Sequence, residues 1–273
     1  MKTRGFVLLF AVPALASAQT YRLNFQPKVG SVVRHQVSVN VSGKSSDPAD
    51  DMSLSAFVVL EVTQTITGVT RERVYADLTV RAISTSDMHP NKVPPDFLEW
   101  KKGTKLAINY PSNNPAAFLN MMSPESKDGD ITAGTFMAAP MFTTGRVTVG
   151  DYWDVTKESL SNLNVQVRRA QPSELTTIGQ AVTQFIGVKD GIGLFESHAT
   201  LPIDFDIDIL KMQMEVGMNT EMRLDMATTS LHSIDTESKV RIMMGGGNAP
   251  AGEPKPQAFE TTIWLKMKVR ALP

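Results

Sequence analysis

The sequence predicts a mainly β fold: a long, strongly curved antiparallel sheet, half-barrel or barrel-like, with a few short helices in the middle of the chain. Three observations predict it. Apolar and polar residues alternate over most of the chain, which gives each strand one face for a core and one for water. One such run, from Met212 to Met226, places Met212, Met214, Val216, Met218, Thr220, Met222, Leu224 and Met226 on successive even positions. A helix would scatter these around its circumference, whereas a strand aligns them on one face over roughly 45 Å at about 3.3 Å per residue. Strands of that length belong to curved sheets rather than compact sandwiches. Windows with helical spacing, finally, are few and confined to the middle.

In chain order, residues 1–18 read as a cleavable export signal. Lys2 and Arg4 charge the start, Phe6 to Leu15 form an apolar run too short to span a bilayer as a helix, and Ala16, Ser17 and Ala18 supply the small residues before a cut after Ala18. Gln19 stands where an acylated lipoprotein has cysteine, and the 273 residues contain none. A β-rich domain over 19–273 is expected, exported to the periplasm or secreted. No later stretch approaches the roughly twenty apolar residues of a membrane span.

Val37, Val39 and Val41 open the strand series, followed by Val74, Ala76, Leu78 and Val80. Ile203, Phe205, Ile207 and Ile209 precede the methionine run, and Ile263, Leu265, Met267 and Val269 close the series. Short helices are expected from Pro94 to Lys102, from Asn114 to Met122 with Pro115 at its first position, and from Thr156 to Leu163. Gly43 to Met52 and Gly245 to Gln257 read as polar or glycine- and proline-rich loops. Two phrases recur. Pro27-Lys28-Val29-Gly30-Ser31-Val32-Val33 resembles Val147-Thr148-Val149-Gly150-Asp151-Tyr152-Trp153, and Thr65-Ile66-Thr67-Gly68-Val69 resembles Gln184-Phe185-Ile186-Gly187-Val188. They suggest two similar halves, 19–130 and 140–273, with a seam between Asp128 and Gly145.

Composition excludes several functions. With 27 basic against 28 acidic side chains the net charge is −1, and such near-neutrality argues against nucleic acid or an anionic membrane surface as the main partner. A thiol nucleophile is excluded by the lack of cysteine, and no nucleophile elbow, Walker loop, dinucleotide fingerprint or His-Glu-x-x-His occurs. His35, His89, His198 and His232 lack metal-site spacing. Asp204, Asp206 and Asp208 on one strand face stand about 7 Å apart, too far to enclose one calcium ion. They read as a solvated face balanced by Lys266 or Lys268, and Asp128-Gly129-Asp130 reads as a turn. Trp100, Trp153 and Trp264 read as core or rim residues. No catalytic residue, metal ligand or cofactor is assigned.

Met212, Met214, Met218, Met222 and Met226 remain. Flexible thioethers pack a core well, and they also line adaptable apolar cavities for a lipid or similar small molecule. Copper(I) is a third occupant that thioethers accept, although a stripe is not a tight shell.

Val147-Thr148-Val149-Gly150-Asp151-Tyr152-Trp153-Asp154-Val155, followed by Phe185-Ile186-Gly187-Val188, resembles exported bacterial β-rich proteins of unknown function, in which a glycine, an acidic residue and an aromatic open each half. The resemblance implies a fold and transfers no catalytic residue. The functional expectation is a non-enzymatic binding protein with an apolar, lipid-like ligand. The alternatives are a structural or interaction protein docking another envelope protein, and a hydrolase assembled from residues such as His35, Asp77, Glu196 and His198.

Overall fold

The computed structural model describes residues 19–46, 53–86, 101–122, 142–143, 145–157, 176–177, 179–207, 210–228, 230–245 and 258–273. The export signal, the Asp128-Gly129-Asp130 turn, Trp100, His89 and the 246–257 loop lie outside them.

The strands are β1 (Thr20–Leu23), β2 (Val32–Ser45), β3 (Ser53–Val69), β4 (Arg73–Ser86), β5 (Lys105–Pro111), β6 (Gly145–Thr148) and β7 (Tyr152–Asp154). They continue as β8 (Thr176–Thr177), β9 (Gln180–Lys189), β10 (Ile192–Ile207), β11 (Leu210–Asp225), β12 (Leu231–Gly245) and β13 (Phe259–Leu272). One antiparallel sheet runs β5-β4-β3-β2-β13-β12-β11-β10-β9-β7, with β8 against β10, while β1 and β6 pair separately. The sheet is two meanders joined where β2 meets β13, with Val37 opposite Val269 and Val41 opposite Leu265.

Two expectations need correction. The sheet is not a barrel, because β5 and β7 end the path without pairing to each other. It does curl. Tyr110 on β5 and Leu231 on β12 line one cavity, although five strand spacings, roughly 24 Å on a flat sheet, separate their strands. The helices are not borne out either. Residues 114–122 form turns and a 3-10 helix at Ala117–Met122, since Pro115 and Asn114 favour a tight turn over a nucleated α-helix. The 94–102 segment lies outside the described residues except for Lys101 and Lys102, and of 156–163 only Thr156 and Lys157 are described. Gly43 to Ser45, expected in a loop, extend β2.

Alternation decides the faces. On β2, His35, Val37, Val39 and Val41 are buried while Arg34, Gln36 and Asn40 are exposed. The registers place Val37, Val269, Ile234, Met222, Phe195 and Phe185 side by side on the inner face. On this face lie Leu23 and Phe25 from the β1 segment, Val147 of β6, Phe118 and Leu119 of the 3-10 helix, and Phe142. Phe142 meets Phe195 edge-on at 4.9 Å, and Phe185 stacks on Phe195 at 4.9 Å. A second cluster gathers Val155, Ala181, Leu201, Met214, Val216, Met218 and Val240 further along the strands. Between the two runs a row of buried hydroxyls, Thr183, Ser197, Thr220 and Thr236. They satisfy one another pairwise, Thr183 with Ser197 and Thr220 with Thr236, each at 3.0 Å.

The outer face is polar. Lys266 and Lys268 meet Glu237 and Asp235 of β12, at 2.8 and 4.0 Å, rather than the expected aspartates of β10, because β12 is their neighbour in the sheet. The side chains of Asp204 and Asp206, and all of Asp208, lie outside the described residues.

The recurrent phrases form matching turns. Gly30 N–H donates to Ile66 O at 2.8 Å and Ile66 N–H to Ser31 O at 3.0 Å; Gly150 N–H donates to Phe185 O at 2.8 Å and Phe185 N–H to Asp151 O at 2.9 Å. Both glycines have positive φ, 85° and 94°, which side chains rarely adopt.

Candidate functional site

Where β2 begins, β3 ends and β4 begins, the curled sheet leaves a cavity of about 490 Å³ beneath the segment that follows β1. Its apolar wall is Phe25, Val33, Ile66, Val74, Met226 and Leu231. Arg22, Asn24, Gln26 and Lys28 at its rim are exposed, and among the described residues no carboxylate side chain lines it. Arg22 and Lys28 have no ion-pair partner among the described residues.

At the buried end stand His35, Gln64 and Tyr110, 1%, 5% and 4% exposed. Their strands place them together because Gln64 on β3 occupies an inner position between Val62 and Ile66, His35 on β2 lies opposite Val62, and Tyr110 on β5 lies opposite Val74. The amide of Gln64 bridges the other two. Its Oε1 lies 3.3 Å from His35 Nε2, and its Nε2 donates to the Tyr110 hydroxyl at 2.8 Å. With Oε1 accepting, Nε2 of the neutral imidazole carries the proton and Nδ1 keeps a lone pair. That Nδ1 is buried and has no hydrogen-bond partner among the described residues. The His35 ring lies against Phe118 at a centroid distance of 4.8 Å.

Burial lowers the His35 pKa to about 4, with the Gln64 hydrogen bond acting weakly the other way. Burial likewise raises that of Tyr110 to about 12 against a smaller opposing contribution from Gln64. Both groups are therefore neutral around pH 7, and the buried end is polar without charge.

No known protein family matches the chain, and no curated protein matches it. Solved structures give faint likenesses. A lipovitellin structure described by its lipid–protein interactions is 11% identical, with 92% of this chain covered and a TM-score of 0.33. The chain spans 26% of the lipovitellin chain. A mutant porin of Rhodopseudomonas blastica is 7% identical, covering 89% of this chain and 100% of the porin, with a TM-score of 0.21. At such scores neither carries an argument about function.

The methionines divide. Met222, wholly buried, belongs to the main core; Met214 and Met218 lie in the second cluster; Met226, just past β11, lines the cavity. The side chain of Met212 lies outside the described residues. Of the suggested hydrolase residues only Glu196 and His198 meet, Oε2 to Nε2 at 3.9 Å on the outer face. His35 is on the inner face, whereas Asp77 and His198 are exposed and Glu196 half-buried on the outer one, where His198 Nδ1 meets Asn219 Oδ1 at 2.8 Å. Trp153 packs near Phe142 and Phe195 while Trp264 is exposed on the outer face. Among the described residues no three His, Asp or Glu side chains gather to hold a metal ion, and no helix is long and apolar enough to cross a membrane.

Sequence reading passed over Gln64 and Tyr110 and treated His35 as ordinary. The signal was there: each is a polar residue in phase with the buried positions of its strand.

Proposed function

We propose that this is an exported, non-enzymatic binding protein whose curled sheet holds one apolar small molecule. The cavity beneath the β1 segment carries the reading. Its volume, about 490 Å³, falls within the roughly 300–1,000 Å³ of small-molecule sites. Its lining surface is more apolar than polar although about half of the lining residues carry polar side chains, so it offers an apolar body contact and polar groups that can fix its orientation. Among the described methionines only Met226 lines it, so Met214, Met218 and Met222 supply packing and Met226 supplies adaptable wall. Export through residues 1–18 would deliver the protein to the periplasm or the medium.

The test is fluorescence of N-phenylnaphthylamine, a neutral apolar probe, with the mature protein and with Ile66→Phe, which fills the cavity. Saturable enhancement near one equivalent that Ile66→Phe abolishes supports the reading. No enhancement, or enhancement that survives the substitution, overturns it. Native mass spectrometry of protein purified from its own envelope fraction identifies any resident molecule.

A second reading has its own observation: Tyr152, on the edge strand β7, is 74% exposed. An edge that is unpaired among the described residues, with an exposed aromatic, suits docking of an envelope protein. Loss of a co-purifying protein in Tyr152→Ser, with probe binding intact, would favour it.

A further inference from the structure

The ligand's chemistry follows from how charge is distributed along the cavity, granted the binding reading above. We infer that the cavity takes a single-chain amphiphile whose apolar tail lies along Phe25, Ile66, Val74 and Leu231 and whose anionic head group stays in the water at the mouth. Arg22 and Arg146, opposed across the β1-β6 ribbon, hold that head group.

The mouth makes the first demand. In the β1-β6 pair Arg22 lies directly opposite Arg146, and both are exposed while their neighbours Leu23 and Val147 are buried. Side chains so placed have Cβ atoms about 5 Å apart, and like charges there repel. Arg22 lines the cavity, Arg146 stands beside it, and Lys28 adds a further cation to the same rim. None of the three has an ion-pair partner among the described residues. Asp225, one residue before the lining Met226, accepts instead from the amide N–H groups of Ala227 and Thr228 at 2.8 and 3.0 Å. An anion at Arg22 therefore relieves a like-charge contact as well as gaining an attraction. Guanidinium forks suit the oxygens of a carboxylate or a phosphate.

The inner end makes the opposite demand. Gln64 is committed on both sides, to His35 and to Tyr110, and burial keeps both of those neutral around pH 7. A head group carried to that end would shed its hydration with no counter-charge to replace it. A hydrocarbon tail meets no such penalty. The tail therefore leads, and the head group remains outside, where it keeps most of its hydration and the attraction is modest and salt-sensitive.

Probes of equal chain length test the assignment at neutral pH, each displacing N-phenylnaphthylamine: decanoate, decyl phosphate, decan-1-ol and decyltrimethylammonium. At low salt both anions are expected to bind about fivefold tighter than the alcohol, and the cation weakest of all, with margins that shrink as salt rises. The tighter of the two anions names the head group. Arg22→Gln combined with Arg146→Gln should bring both anions down toward the alcohol. Arg22→Lys combined with Arg146→Lys, which keeps the charges, should hold most of the margin. All four substitutions fall on exposed positions, so the fold is retained. Equal affinity of anions and alcohol at low salt, or a preference for anions that the glutamine pair leaves intact, overturns the inference while the apolar-binding reading stands. Absence of probe binding overturns both.

Discussion

The two glycine turns make the same backbone hydrogen bonds yet enclose different interiors. Beside Gly30 the bonded residue is Ile66, opposite Ala76; beside Gly150 it is Phe185, opposite Phe195. Two residues earlier stand Gln64 in one and Thr183 in the other, and five residues after the glycine stand His35 and Val155. In the second region the stacked phenylalanines fill the volume, and Thr183 satisfies itself against Ser197 across a single strand pair. In the first, small side chains leave space, and longer polar ones from β2, β3 and β5 meet across the intervening β4. One backbone thus supports either a packed core or a cavity, and the difference resides in a handful of inward side chains.

The comparison can be broken at the packed end first. Phe195→Ala removes a ring in contact with Phe142 and Phe185, and should cost about 3–5 kcal/mol in urea unfolding. Ile66→Val, beside existing space, should cost only about 0.5–1 kcal/mol. Comparable losses would mean that the two regions are equally packed.

Acid is the next lever. His35 titrates at about 4 in the folded protein, below the ordinary 6.5, so the unfolded chain takes up its proton first. Stability present above pH 6.5 should fall as pH drops toward 4, by about 3 kcal/mol, and level off there. Val155, in the other region, has nothing to titrate. Urea midpoints across that range should slope in the wild type and flatten in His35→Phe; equal slopes would relocate the effect.

The hydroxyl row separates pairing from polarity. Thr220→Val strands the Thr236 hydroxyl and should cost about 1–2 kcal/mol, whereas Thr220→Val with Thr236→Val should recover most of it. The smallest effect is expected on the outer face. Lys266→Ala, which removes an exposed pair to Glu237, should change stability by less than about 1 kcal/mol.

Most of the sheet was legible because alternation survives wherever one face is wet. The even face of β11 is buried from Met214 to Leu224, as its pattern requires. Sheet closure was not legible: strand length demands curvature, but whether the edges meet depends on register and on what fills the inside, here β1, β6 and the 3-10 helix. The site was hidden for a related reason. His35, Gln64 and Tyr110 come from three strands, and no local spacing announces a group that only the β2-β3-β4-β5 order assembles. The methionine stripe drew attention by its rarity, although three of its members lie within packed clusters.

The position of β13 bears on how the chain acquires this shape. Its residues come late in the sequence but lie at the centre of the sheet, between β2 and β12. Until they arrive, the two meanders have unpaired inner edges, and the contacts that join them span more than two hundred residues of sequence, as Arg34 opposite Leu272 illustrates. Such high contact order makes folding slow, and a growing chain cannot complete the sheet as it emerges. Assembly waits for the last strand, so a chain shortened by that strand would be left as two sticky, unjoined ribbons rather than a slightly weakened protein.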